Sequence, residues 1–153
     1  MTRTLVLMRH GLATGQAPDA VLQPEGEAQV ARLGRLLRDQ RWAPDVVLHS
    51  PYRRARQTVT ALTDAMAWTG RIDVVHELVP DAEPDEALEG IEFAAPGVRC
   101  VLAVAHLPLL DRLLVRLTGE TPGFSPGTFV EVALDAPSRG RIVRRLEARD
   151  LDA

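Results

Sequence analysis

The hydrophobic positions along this chain change period several times. Residues 5–9 form a continuous apolar run that ends in arginine and reads as a buried strand, cut off by His10 and Gly11. Residues 12–23 are mixed and read as a loop. Pro24-Glu25-Gly26-Glu27 then opens a helix, with proline and acids where a first turn favours them. Val30, Leu33, Leu36 and Leu37 are its apolar stripe, and Arg32, Arg35 and Arg38 fall on its solvated faces. Trp42-Ala43-Pro44 ends it.

Residues 45–49 predict a second short strand. Ser50-Pro51 reads as an N-cap followed by proline at the first helical position. A helix then runs to about Trp68, buried along Ala55, Val59, Leu62 and Met66, and Gly70 ends it. Residues 72–79 predict a third strand carrying His76 and Glu77 near its end, and 80–97 an acidic, loop-rich stretch with a short helix over 84–93. Residues 98–105 are the most hydrophobic strand and are expected at the centre. Leu107-Pro108 starts a helix with Leu109, Leu110, Leu113, Leu114 and Leu117 on one face. Residues 128–134 and 142–146 predict two further strands, joined by a hairpin loop at 135–140. The alternation of strands and helices predicts one α/β domain over 1–153, a three-layer α/β/α sandwich. Its central sheet is mostly parallel, with an antiparallel C-terminal edge.

Composition narrows the chemistry. All 18 basic residues are arginine, and the chain has no lysine and no asparagine. That bias points to a GC-rich, bacterial genome. It excludes lysine Schiff bases and the phosphate-loop lysine, so a phosphate site here must use arginine, histidine and backbone N–H groups. The net charge of −3 gives no sign of nucleic-acid binding. No apolar run approaches the ~18 residues of a membrane span, and Arg9 and His10 interrupt the N-terminal run where a signal peptide would continue. A cytoplasmic location is expected. Cys100, the single cysteine, falls in an apolar run and reads as an inert core residue. A cysteine phosphatase loop is excluded because position 106 is histidine rather than arginine.

Three predicted strand ends carry comparable groups. The first delivers Arg9 and His10, the second leads into Arg54, and the most hydrophobic one ends at His106. In a parallel sheet these ends share one edge, where ligands of open α/β sheets bind. Guanidinium groups hold phosphate in a fork, and an imidazole serves as nucleophile or acid/base. Strict alternation would send Arg9 and His10 to opposite faces, so the strand must break there for both to reach one pocket.

The segment Leu7-Met8-Arg9-His10-Gly11 resembles the Arg-His-Gly signature of the histidine phosphatase superfamily. Ser50-Pro51-Tyr52-Arg53-Arg54-Ala55-Arg56-Gln57-Thr58 resembles its second motif, and Ala105-His106 its second histidine. Size and spacing resemble the short bacterial SixA-type phosphohistidine phosphatases. The resemblance implies that His10 is a nucleophile that becomes transiently phosphorylated. Arg9, Arg54 and His106 would bind the phosphoryl oxygens. Larger members place a carboxylate near the third motif; Glu77 is the candidate acid here, with Asp81 second. His49 and His76 read as rim or structural residues. Leu12-Ala13 departs from the glutamate–threonine of the phosphoglycerate mutase branch. The expected activity is hydrolysis of phosphohistidine in a partner protein, for example a phosphotransfer domain, with no metal and no cofactor. A general phosphomonoesterase acting on small phosphoesters and a non-catalytic phosphate-binding module are the alternatives.

Overall fold

A computed structural model describes residues 3–151. The strands are β1 (Arg3–Arg9), β2 (Val46–His49), β3 (Arg71–Val74), β4 (Cys100–Ala105), β5 (Thr128–Ala136) and β6 (Arg139–Glu147). The helices are α1 (Pro24–Asp39), α2 (Arg53–Met66), α3 (Pro84–Ala94) and α4 (Leu109–Thr118). One six-stranded sheet runs in the order β3-β2-β4-β1-β5-β6. The pairs β1/β4, β2/β4 and β2/β3 are parallel, and β5 and β6 add the antiparallel edge.

Both faces of the sheet are covered, which is why the central strands read as unbroken apolar runs. Leu5 and Leu7 of β1 join a core with α3 and α4, while Val6 and Met8 join a second core with α1 and α2. Helices α1 and α2 meet closely at Gly34, where an added Cβ would lie 2.6 Å from the Leu62 carbonyl oxygen.

The structure corrects several expected boundaries. Strand β3 stops at Val74, and its four residues are exposed at the sheet edge. Val75 is still tied to β2 through its N–H, which donates to the His49 carbonyl. The chain then turns through a short 3₁₀ segment, His76–Leu78, that drops Val75 and Leu78 into the core beside α3. Burial of those two side chains thus outweighs continued pairing. Helix α2 ends at Met66 because Ala67 adopts the left-handed conformation, φ 55°, three residues before Gly70. The β5–β6 hairpin is tighter than 135–140, since Ala136 already pairs with Arg139. Cys100 is half-buried at the start of β4 rather than inside a strand core. Burial, reinforced by Asp45 and Glu131, pushes its thiol up to about 11.

Candidate active site

Strand β1 ends at Arg9, but the His10 N–H still donates to Ala105 of β4 at 3.1 Å. The chain then leaves the sheet at Gly11. Its N–H donates to Thr58 Oγ1 of α2 at 3.0 Å, and that hydroxyl donates to the Arg54 carbonyl at 2.7 Å. A Cβ at Gly11 would meet Val30 at 3.0 Å and the Gly26 carbonyl at 3.2 Å, so a side chain there would press into α1. The break releases His10 from strand alternation. Arg9 and His10 consequently line one cleft, together with Arg54 and His106.

The cleft holds about 180 Å³ at the carboxyl ends of β1 and β4. Arg54 is 3% exposed, and its Nε donates to His10 Nε2 at 3.2 Å. One of its terminal nitrogens donates to the Gln16 and Ala17 carbonyls at 3.2 and 2.8 Å. The Tyr52 ring packs under the guanidinium at 5.0 Å. Arg9 donates to the Phe124 carbonyl at 2.9 Å, while its Nε is buried without a partner. The His10 and His106 rings lie 5.1 Å apart.

Each imidazole is held neutral. His10 Nδ1–H donates to the Gly11 carbonyl at 2.7 Å, and Nε2 accepts from Arg54, so Nε2 carries the lone pair. Burial lowers the His10 pKa to about 4, and the Arg54 and Arg9 charges push the same way against the Gly11 hydrogen bond. Burial, then His10 and the two arginines, lower His106 to about 3. Burial also lowers both arginines from their ordinary value.

The remaining candidates lie elsewhere. Glu77 sits on the 3₁₀ turn, not at a strand end, and its carboxylate packs against Gly90 of α3. A Cβ at Gly90 would lie 2.8 Å from Glu77 Oε2. Asp81 is exposed, and neither carboxylate lines the cleft. His49 is buried, with Nδ1 bonded to the Ser50 carbonyl oxygen, and His76 is exposed. Among the described residues no three His, Cys, Asp or Glu side chains gather as a metal-binding group. A larger groove of about 310 Å³ lies at the opposite end of β1, lined by Leu88, Ile91 and Leu134 among others. Arg3 there donates to Val98, Ala95 and Glu92, so its guanidinium is engaged by protein groups.

Similarity to known proteins agrees with this geometry. The chain is 31% identical over 140 residues to the phosphohistidine phosphatase SixA of Escherichia coli (strain K12), covering 88% of this chain and 87% of that protein. The chain belongs to the histidine phosphatase superfamily. The family model "Histidine phosphatase superfamily (branch 1)" matches residues 5–78, which include Arg9, His10 and Arg54. The structure of the protein histidine phosphatase SixA complexed with tungstate superposes with a TM-score of 0.88 at 28% identity, over 97% of this chain and 99% of that one. A 2,3-bisphosphoglycerate-dependent phosphoglycerate mutase of Bifidobacterium longum (strain DJO10A) is 40% identical over 73 residues, only 42% of this chain and 29% of the mutase. The chain is therefore a phosphatase, a hydrolase of this superfamily.

Several residues shape this histidine phosphatase cleft through contacts that the sequence pattern does not announce. Ser50 is not the helix N-cap, since Tyr52 holds that position; its hydroxyl instead meets His106 Nε2 at 2.7 Å. Thr58 ties Gly11 to Arg54. Gln16 and Ala17 contribute only carbonyls, in a loop closed by an Ala13–Leu22 bridge. Backbone groups leave no trace in residue type.

Proposed function

We propose that this phosphatase removes phosphoryl groups from phosphohistidine on a partner protein, through a covalent intermediate on His10. The observation that carries the reading is the His10 ring itself. With Nδ1–H engaged by the Gly11 carbonyl, the Nε2 electron pair faces the cleft, where it accepts from Arg54 Nε between two guanidinium groups. A neutral imidazole is a competent nucleophile, and the cations cancel the charge that repels attack on a phosphoryl group.

In the first step the Nε2 electron pair attacks phosphorus. The bond from phosphorus to the substrate imidazole breaks, and its electrons return to the leaving nitrogen, protonated from solvent. Water then attacks the phosphorus of the His10 adduct. The bond to Nε2 breaks with its electrons returning to that nitrogen, and phosphate departs as a proton passes to solvent. Arg9, Arg54 and His106 bind the equatorial oxygens throughout.

What lines the cleft supports this substrate class. Its described lining contains no carboxylate. An alkoxide leaving group calls for a positioned acid, typically worth ~10²–10⁴-fold, whereas a protonated imidazole leaves without one. The 31% identical relative is itself named a phosphohistidine phosphatase. A small phosphomonoester is the second reading, favoured by a cleft of only about 180 Å³. Measured kcat/KM for a phosphohistidine phosphotransfer domain and for a panel of phosphomonoesters separates them. Preference for the phosphohistidine protein is expected, and preference for a monoester overturns the reading.

A further inference from the structure

The two histidines of the cleft face different partners. His10 gives its Nδ1 proton to a backbone carbonyl and keeps a lone pair on Nε2. For His106 the partner is Ser50, whose Oγ lies 2.7 Å from Nε2. Ser50 follows β2 and is fully buried. Its oxygen already accepts the Tyr52 backbone N–H at 3.1 Å. A buried hydroxyl needs an acceptor for its own proton. Among the described residues, Nε2 of His106 is the acceptor in reach. The hydroxyl proton then points to Nε2, and the ring's own proton belongs on Nδ1. That Nδ1 is buried and has no partner. The Tyr52 ring meets His106 edge-on at 4.9 Å and restrains its rotation.

We propose that Ser50 is a positioning residue that holds His106 in the Nδ1–H tautomer, so that His106 meets the phosphoryl group as a neutral N–H donor. The inference rests on the reading that His106 binds a phosphoryl oxygen. With Nε2 taken by Ser50, Nδ1 is the ring atom left for that contact. The opposite tautomer would turn a lone pair toward an anionic oxygen, and binding would weaken. Both histidines therefore carry the proton on Nδ1 but use opposite chemistry. His10 offers a lone pair because a carbonyl holds its N–H. His106 offers an N–H because a serine hydroxyl caps its lone pair.

The test is ring nitrogen NMR on the ¹⁵N-labelled full chain, in which long-range proton–nitrogen correlations identify the tautomer of each histidine. Wild type should show His106 protonated on Nδ1. Ser50→Ala should move it toward the Nε2–H form that free imidazole side chains favour in water, and Ser50→Thr should restore Nδ1–H. Ser50→Ala should also lower kcat on a phosphohistidine protein by about tenfold or more, with a smaller change in KM. Wild-type His106 protonated on Nε2, or Nδ1–H unchanged in Ser50→Ala, overturns the proposal. The spectra do not depend on turnover, so a wrong tautomer with intact phosphatase activity sinks this inference alone. Absent phosphohistidine hydrolysis with the stated tautomer sinks the substrate reading instead.

Discussion

Arg54 Nε donates to the nitrogen of His10 that carries its lone pair, Nε2, across 3.2 Å. The guanidinium thus covers this lone pair in the cleft. In the proposed mechanism an incoming phosphoryl group competes for the same N–H, and transfer of that hydrogen bond from nitrogen to oxygen frees the lone pair for attack.

This relationship makes Arg54→Lys a damaging change. Lysine keeps the charge but not the planar fork. It cannot serve His10 through one nitrogen while another holds the Gln16 and Ala17 carbonyls. Steady-state kinetics should show kcat/KM falling by tenfold or more, ~1.4 kcal/mol on the barrier. Wild-type kinetics in Arg54→Lys would place Arg54 outside the chemistry.

The neutral histidines set a pH dependence of stability. His10 falls from the ordinary 6.5 to about 4 in the folded chain, and His106 to about 3. Between 6.5 and those values the unfolded chain binds protons that the folded chain refuses, so acid favours unfolding. The stability from these two groups is complete above pH 6.5 and is lost as pH falls toward 4 and 3. Urea melts at pH 7.5 and pH 5 should show a smaller loss in a His10→Gln, His106→Gln double variant than in wild type. Equal losses in both proteins would mean that the imidazoles titrate normally.

Much of this was readable from the chain. The apolar run ending at Arg9 and His10, the one ending at His106 and the start of α2 each put a polar group at the end of a buried element. A parallel sheet then brings those ends together. Residues 72–79 read as a strand because their apolar side chains suit a strand and a core equally well; Val75 and Leu78 take the core. Serine before proline reads as a cap, whereas the partner of the Ser50 hydroxyl lies 56 residues away in sequence. Glu77 would be a strand-end acid only if β3 continued past Val74, and it lies instead on the 3₁₀ turn.

Its position on the 3₁₀ turn against Gly90 gives a direct expectation. Glu77→Gln and Asp81→Asn should each leave kcat/KM on a phosphohistidine protein within about twofold of wild type, as substitutions away from the reacting groups do. A tenfold or larger loss in Glu77→Gln would show that its carboxylate reaches the leaving group during turnover.

The central claim is that His10 takes the phosphoryl group, and trapping it is the most direct measurement. Wild-type protein is mixed with a ³²P-phosphohistidine phosphotransfer domain, quenched in alkali, where phosphohistidine survives, and mapped by mass spectrometry. The account predicts label on His10 in wild type and none in His10→Ala, whose circular dichroism should match wild type because His10 belongs to neither apolar core. Label that persists in His10→Ala, or that maps to another residue in wild type, would contradict it.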